Sequence, residues 1–345
     1  MHGVSEPAGA GSPLQPTDVG SRVSIRFRRD DGLLADVVGD LVALDDTELR
    51  LRRRDGAVIT VPRTLVLATR RVPASMRDIL ALEELSGRTW PARHETWLGR
   101  WWLRAAGGFS ARADASRLLG DPDRPVAEAF DAVRAWYRDH GVEPQLRLVA
   151  GSRFEAAAAA AGFRPATTIL VLAAPIARVR SRIAERSARF GGWAEPDAGG
   201  RVGVVRTAVV RLESRPWTGW LAMFRGGTAS HAADLLATPR QVVFAAVEHA
   251  GDVLAIGRGA RDEDWVELSA VEVRPTARRQ GLAHRIIDAI LGWAGGLGAL
   301  RVFLEVAEAN GPARSLYAQL GFTEHHRYRW WRPAEGADRP TLDAE

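Results

Sequence analysis

The chain has 345 residues with an apolar fraction of 46%, enough for two or three packed domains. It contains no cysteine, which excludes disulfides, thiolate metal sites and an acyl-cysteine intermediate. Formal net charge is +5 with arginine as the only long cation, an excess too modest to mark a nucleic-acid binder by itself, and no apolar stretch is long enough to span a membrane as a helix.

Residues 1–17 are a Gly/Pro/Ser-rich tail without the apolar block of a signal peptide, and 334–345 form a second tail; both are expected to be disordered. With the absence of cysteine, this points to a cytoplasmic protein. Residues 18–75 read as all-β. Short Val/Ile/Leu-rich runs at 22–28, 35–44, 48–54, 57–61 and 65–72 are separated by Asp30-Asp31-Gly32, Asp45-Asp46 and Asp55-Gly56 turns. Five short strands resemble a small Src-homology-3-like or Sm-like barrel. Arg52-Arg53-Arg54 beside a hairpin reads as a solvated edge or as a phosphate contact.

Residues 78–178 open with a helix at 78–85, then an aromatic-rich strand pair around Trp97, Trp101 and Trp102. A helix at 126–140, a strand at 145–149, a helix at 153–161, Gly162-Phe163 and a strand at 168–172 follow. Residues 179–200, arginine-rich and then glycine-rich, read as a helix and linker. From 201 to 333 come a strand at 204–212, the segment Trp217–Phe224, a helix at 230–236, strands at 242–249 and 253–258, and an apolar strand, Val266–Val273. His325-His326 reads as a surface pair on the last strand, and no metal site is expected.

The strand ending at Val273 stops at Pro275, crosses an arginine-rich turn with Gly281 and Ala283, and enters a helix with apolar residues at Leu282, Ile286, Ile290 and Trp293. A small-residue turn feeding a helix start is an anion cradle, because the first amides lack helical acceptors and the dipole favours negative charge. A second strand, 301–306, leads to Asn310-Gly-Pro-Ala313-Arg-Ser-Leu316-Tyr317-Ala-Gln-Leu320-Gly321-Phe322. Arg-x-x-Gly-x-Ala, a helix, a strand, and then Asn-x-x-Ala-x-x-Leu-Tyr-x-x-x-Gly-Phe resembles the GNAT superfamily of acyl-CoA-dependent N-acyltransferases, over roughly residues 200–332.

The resemblance implies an α/β fold: a mixed, splayed sheet flanked by helices, with acyl-CoA inserted where two strands part. It implies that Val271 and Val273 pair with the pantetheine arm. It also implies that the amides of Arg279, Gln280, Gly281, Leu282, Ala283 and His284 hold the pyrophosphate, with Arg278 or Arg279 adding charge and Asn310 bonding the pantetheine. The chemistry is attack of a neutral amine on a thioester, so a proton must be removed from an ammonium of pKa about 10. Glu267 stands where histone-acetylating members carry their base. Strand alternation places Glu267, Ser269, Val271 and Val273 on one face and Glu272 on the other; Glu305 is the runner-up. An exposed strand carboxylate is the other reading of Glu267. The Val271 amide is implied as oxyanion donor. Tyr317 holds the position of the acid that protonates the leaving thiolate, or else is a core residue against Phe322. Trp217, Trp220, Phe224, Tyr328 and Trp330 are candidates to line the acceptor pocket. Without cysteine, direct transfer in a ternary complex is the economical scheme.

The order helix–strand–helix–Gly-Phe–strand occurs twice, so 78–178 reads as a degenerate copy of 201–333. Gly120-Asp121-Pro122-Asp123-Arg124-Pro125 stands where its cradle should be, and two carboxylates there would repel a pyrophosphate; Ala160 replaces the tyrosine. The sequence thus points to an acetyl-CoA-dependent N-acetyltransferase acting on an unidentified small-molecule or protein amine. A non-catalytic acyl-CoA sensor and a mycothiol-synthase-like acetylation of an amino sugar conjugate are the alternatives. A nucleic-acid role for the barrel ranks last, for want of a paired aromatic and basic stripe.

Overall fold

The computed structural model describes residues 14–189, 208–227 and 233–334. The expected tails outside 14–334, the glycine-rich stretch 190–200 and parts of the elements expected at 204–212 and 230–236 lie outside the described residues.

Strands β1 (Arg22–Arg28), β2 (Leu34–Leu44), β3 (Glu48–Arg52), β4 (Val58–Pro62) and β5 (Val66–Arg71) form one antiparallel sheet in the order β4-β3-β2-β1-β5. Alternate residues Val23 and Ile25, and Leu49 and Leu51, are buried beneath it with Leu41 and Val61. Leu14 joins this core and residues 16–18 form a single 3-10 turn, so the N-terminal tail ends earlier than expected.

This small domain is fastened to the rest of the chain by ion pairs. Buried Asp18 accepts hydrogen bonds from Arg71 and from Arg178, both at 2.6 Å. Arg52 pairs with Asp264, and Arg54 donates to Asp78 at 2.8 Å. Two members of the arginine triplet, Arg52 and Arg54, thus pair with carboxylates of the larger part of the chain while staying partly exposed.

The remainder is one 11-stranded mixed sheet. Helix α1 (Met76–Thr89) starts earlier than expected because Ser75 and Asp78 form a capping box. Then come β6 (His94–Leu98), β7 (Trp101–Ala105), α2 (Ala111–Asp114), β8 (Ala115–Leu118), α3 (Val126–Asp139), β9 (Gln145–Val149), α4 (Glu155–Ala160), β10 (Phe163–Pro175) and α5 (Ile176–Arg189). The second half holds β11 (Val209–Glu213), α6 (Thr218–Met223), α7 (Ala233–Leu236), β12 (Val242–His249), β13 (Asp252–Asp262), β14 (Trp265–Val273), α8 (Leu282–Gly296), β15 (Arg301–Ala307), α9 (Gly311–Gln319) and β16 (Thr323–Pro333).

Sheet order is β11-β12-β13-β14-β15-β10-β16-β9-β8-β7-β6. Two strands thus lie in the territory of the other half. β10 is antiparallel to both β15 and β16, and β16 is antiparallel to β9. Residues Ile169, Leu170, Val171 and Leu172 of β10 are all buried, as a central strand with two covered faces requires. The exchange locks the halves together, since parting them would break the ladders of both strands. One face of the sheet packs α5, α8 and α9 over a core containing Ile183, Ile286, Ile290, Leu304 and Tyr317. The opposite face carries α1, with Leu82 and Leu85 against Ile169, Phe303, Tyr328 and Trp330.

Candidate active site

β14 and β15 run parallel and pair at Trp265–Arg301, Val266–Val302 and Glu267–Phe303; the ladder goes no further. The remaining residues of β14, from Leu268 to Val273, part from β15. A bulge accompanies the parting: Ala270 and Val271 together oppose Gly257 of β13, and Ala270 has φ +52°. The bulge reverses the alternation of side chains. Val271 and Val273 pack into the cluster that holds Val266 and Leu268, whereas Glu267 points to the opposite face. The expected single face for Glu267, Ser269, Val271 and Val273 is thus broken at Ala270. Glu272 accepts a hydrogen bond from the Arg225 amide at 3.2 Å.

At the end of β14, a 3-10 turn (Pro275–Ala277) leads through Arg278, Arg279 and Gln280 to Gly281, which caps α8. Gly281 has φ +78° and Arg279 φ +65°, both in the left-handed region. The first intrahelical bond runs from the Arg285 amide to the Gly281 carbonyl, so Leu282 and Ala283 present amides with no helical acceptor. Arg278 and Arg279 are exposed beside them. This is the geometry of an anion cradle, and its donor set fits a pyrophosphate. His284 is buried, and burial lowers its pKa, with Arg186 adding to the effect.

The two candidate carboxylates differ. Glu267 is fully buried; burial raises its pKa, although the guanidiniums of Arg112 at 3.2 Å and Arg258 at 3.7 Å pull the other way. Glu305 is also buried, but Arg147 at 2.8 Å and Arg112 at 3.1 Å overcome that burial and hold it at about 2. Tyr328 donates to Glu305 at 2.8 Å. Glu305 is therefore a fixed anion and not a reserve base. The network continues to Glu83, which joins Arg117 at 3.3 Å, Arg147 and His326. His326 is accordingly buried, not on the surface as expected; it lies 2.8 Å from Glu83. Most of these arginines come from the first half of the chain. The sequence reading missed Arg112: α2 is a four-residue helix whose arginine meets Glu267 155 residues away.

Tyr317 sits in α9 in the same cluster as Val271 and Val273, its ring 5.5 Å from Phe322. It flanks the parted strands from the face opposite Glu267. Asn310 caps α9, its side-chain oxygen accepting from the Ala313 amide at 3.2 Å. Trp220, Phe224, Tyr328 and Trp330 are buried in the core; the Trp220 indole donates to the carbonyls of Ala245 and Gly257. Trp217 is half-buried, with Arg211 4.2 Å from its ring centre. Segment 106–113 of the first half covers this region, Phe109 and Ala113 packing with Trp220 and Phe224.

The first half has a matching parallel ladder, Ala115–Gln145 to Arg117–Arg147 between β8 and β9. Its following turn has no glycine at the helix start: Pro125 precedes α3. The turn lies against the β6–β7 hairpin, where a Cβ on Gly99 would stand 2.5 Å from the Asp121 carbonyl oxygen. Asp121 pairs with Arg153.

Comparison with known proteins accords with this geometry. The family described as "Probable histone acetyltransferase Rv0428c C-terminal" matches residues 76–331, and "Rv0428c N-terminal Sm-like domain" matches residues 17–70. The chain is 28% identical over 325 residues to the probable histone acetyltransferase Rv0428c of Mycobacterium tuberculosis, covering 90% of this chain and 94% of that one. It is 24% identical over 265 residues to the uncharacterized N-acetyltransferase YobR of Bacillus subtilis, covering 73% and 98%. A GCN5-related N-acetyltransferase from Kribbella flavida shares the fold, with a TM-score of 0.52 at 14% identity over 79% of this chain and 98% of that one. The chain belongs to the Rv0428c family: it is a GNAT-type N-acetyltransferase with an Sm-like domain at its N-terminal end.

Proposed function

We propose that the chain transfers an acetyl group from acetyl-CoA to a primary amine, by direct attack in a ternary complex, at one site in residues 201–333. The observation that carries this reading is the parting of β14 from β15 just past Glu267, with a left-handed glycine turn and a helix start at the end of the parted strand. Val271 and Val273 would pair with the pantetheine arm, and the amides of Arg279 to His284, with Arg278, would hold the pyrophosphate. Asn310, its side-chain oxygen fixed by the cap on the Ala313 amide, would bond the pantetheine through its side-chain amide.

Acetyl-CoA supplies the activated acyl group. The chain's own groups do the rest. The Val271 amide, at the bulge, would hold the carbonyl oxygen; one such donor is typically worth about 3 kcal/mol. Glu267, its pKa raised by burial, would accept the amine proton through a water chain, because its carboxylate is closed to solvent. Tyr317 would return a proton to the departing sulfur from the other face. Residues 78–178 are a degenerate copy without a cradle. Its role in this scheme is to support the working half, and the strand exchange makes that support obligatory.

The test is thiol release with acetyl-CoA against polyamines, amino acids, aminoglycosides, amino sugars and basic peptides, with the acetylated product identified by mass. The name of the relative in Mycobacterium tuberculosis adds histone-like protein amines to this panel. Amine-dependent release with a matching product supports the proposal. Tight acetyl-CoA binding without product on any amine would favour a sensor.

A further inference from the structure

We propose that Arg112, supplied by the degenerate half, is a positioning residue for the reaction: it clamps the mouth of the parted strands and keeps Glu267 ionised. The inference rests on Glu267 being the base. One guanidinium spans both strands where they separate. Nη1 lies 3.2 Å from Glu267 Oε1 on β14, and Nε lies 3.1 Å from Glu305 Oε2 on β15. Nη2 donates to the Glu305 backbone carbonyl at 3.1 Å. Glu267 belongs to the last paired position of β14, and Glu305 lies two residues beyond its partner Phe303. The clamp therefore sits at the fork.

The turn that presents Arg112 is itself held. Asp114 accepts from the amides of Ala106, Gly108 and Ser110, and the Ser110 hydroxyl accepts from the Ala113 amide and the Trp90 indole. The guanidinium also lies 5.3 Å from the centre of the Trp90 ring. A rigid turn and a bidentate planar cation make a positioning device that a lysine could not reproduce.

The charges around Glu267 come from three neighbouring elements. α2 gives Arg112, β13 gives Arg258 at 3.7 Å, and β15 gives the anion Glu305. Arg258 is shared, also donating to the backbone carbonyls of Thr89 and Leu236. Arg112 is thus the nearer cation. Its removal leaves two buried carboxylates with less compensation, which favours the protonated form of Glu267.

The test is the pH dependence of kcat in Arg112→Met, Arg112→Lys and Glu267→Gln, with acetyl-CoA affinity and thermal melting as checks of folding. Arg112→Met should move the acidic limb to higher pH and recover most of its rate at high pH, while Arg112→Lys shifts less. The double variant Arg112→Met/Glu267→Gln should be no slower than Glu267→Gln alone. If Glu267→Gln abolishes the limb but Arg112→Met lowers the rate equally at every pH, Arg112 is merely structural and the inference fails. If Glu267→Gln leaves the limb unchanged, the base assignment itself fails. Should Arg112→Met not fold, an unshifted limb in Arg112→Lys overturns the inference.

Discussion

Gly257 of β13 lies so close beneath Ile286 of α8 that a Cβ at 257 would stand 2.4 Å from Ile286 Cγ2. Gly259 repeats the relationship one turn on, 2.5 Å from Ile290 Cγ2. These two glycines set the depth at which α8 rests on the sheet, and so the position of the cradle at its N-terminus. Gly257→Ala should destabilise the fold by about 1–3 kcal/mol through overpacking. It should also weaken acetyl-CoA binding. Gly295→Ala, in the same helix with nothing within 4 Å, should leave affinity alone and keep or raise the melting temperature.

Tyr317→Phe keeps the ring against Phe322 and removes only the hydroxyl. If Tyr317 protonates the leaving thiolate, turnover should fall by roughly 10²–10⁴ with acetyl-CoA affinity nearly unchanged. An acyl donor with a more acidic thiol should recover part of the loss. Wild-type turnover in Tyr317→Phe would make it a core residue alone.

Glu305 and His325 predict acid lability with a defined shape. Burial opposes ionisation of Glu305, but Arg147 and Arg112 hold it at about 2 against an ordinary 4.5. Its folded pKa is below its unfolded one, so its stabilisation is full above 4.5 and is lost as pH falls towards 2. Burial, with His326, pushes His325 down to about 4 from 6.5, so an earlier loss begins below 6.5. Urea melts should show stability falling in both windows. Glu305→Gln should flatten the lower one and cost about 3–5 kcal/mol at neutral pH, because it strands buried arginines.

Asp264 serves two arginines, Arg52 of the Sm-like domain and Arg301 at 2.7 Å. Asp264→Ala should cost about 1–3 kcal/mol in a denaturant melt. Arg52→Ala should cost less than about 1 kcal/mol, since Arg52 is 35% exposed. Equal losses would mean that the domain contact, and not Arg301, dominates Asp264.

The parts of this molecule that were legible in the sequence are local ones. Gly281 and Ala283 ahead of Ile286 and Ile290 marked the cradle and its helix, and Asn310, Pro312 and Gly321 marked the limits of α9. Asp-Gly turns separated the strands of the small domain. What stayed hidden depends on distant partners. Nothing in residues 168–172 says that β10 pairs with β15 and β16 rather than β9. The bulge at Ala270 carries no glycine to announce it, so the alternation was followed past its break. Arg112 on α2, Arg147 on β9 and Glu83 on α1 carry no local signal of a shared network. Tertiary packing brings them into one network of ion pairs with Glu267 and Glu305. Trp220 and Tyr328 are candidates to line a pocket by residue type and place in the chain, and residue type does not distinguish a wall from a core, where both are buried.

The central claim is one acetyl-CoA site per chain, formed by the parted β14 and the cradle at Gly281. Calorimetric titration of acetyl-CoA into the wild type, Gly281→Asp and Asp121→Ala tests it most directly. A single site is expected in the wild type, unchanged in Asp121→Ala and abolished in Gly281→Asp, where a carboxylate would meet the pyrophosphate at a left-handed position. Two molecules bound per chain, or wild-type affinity in Gly281→Asp, would contradict it.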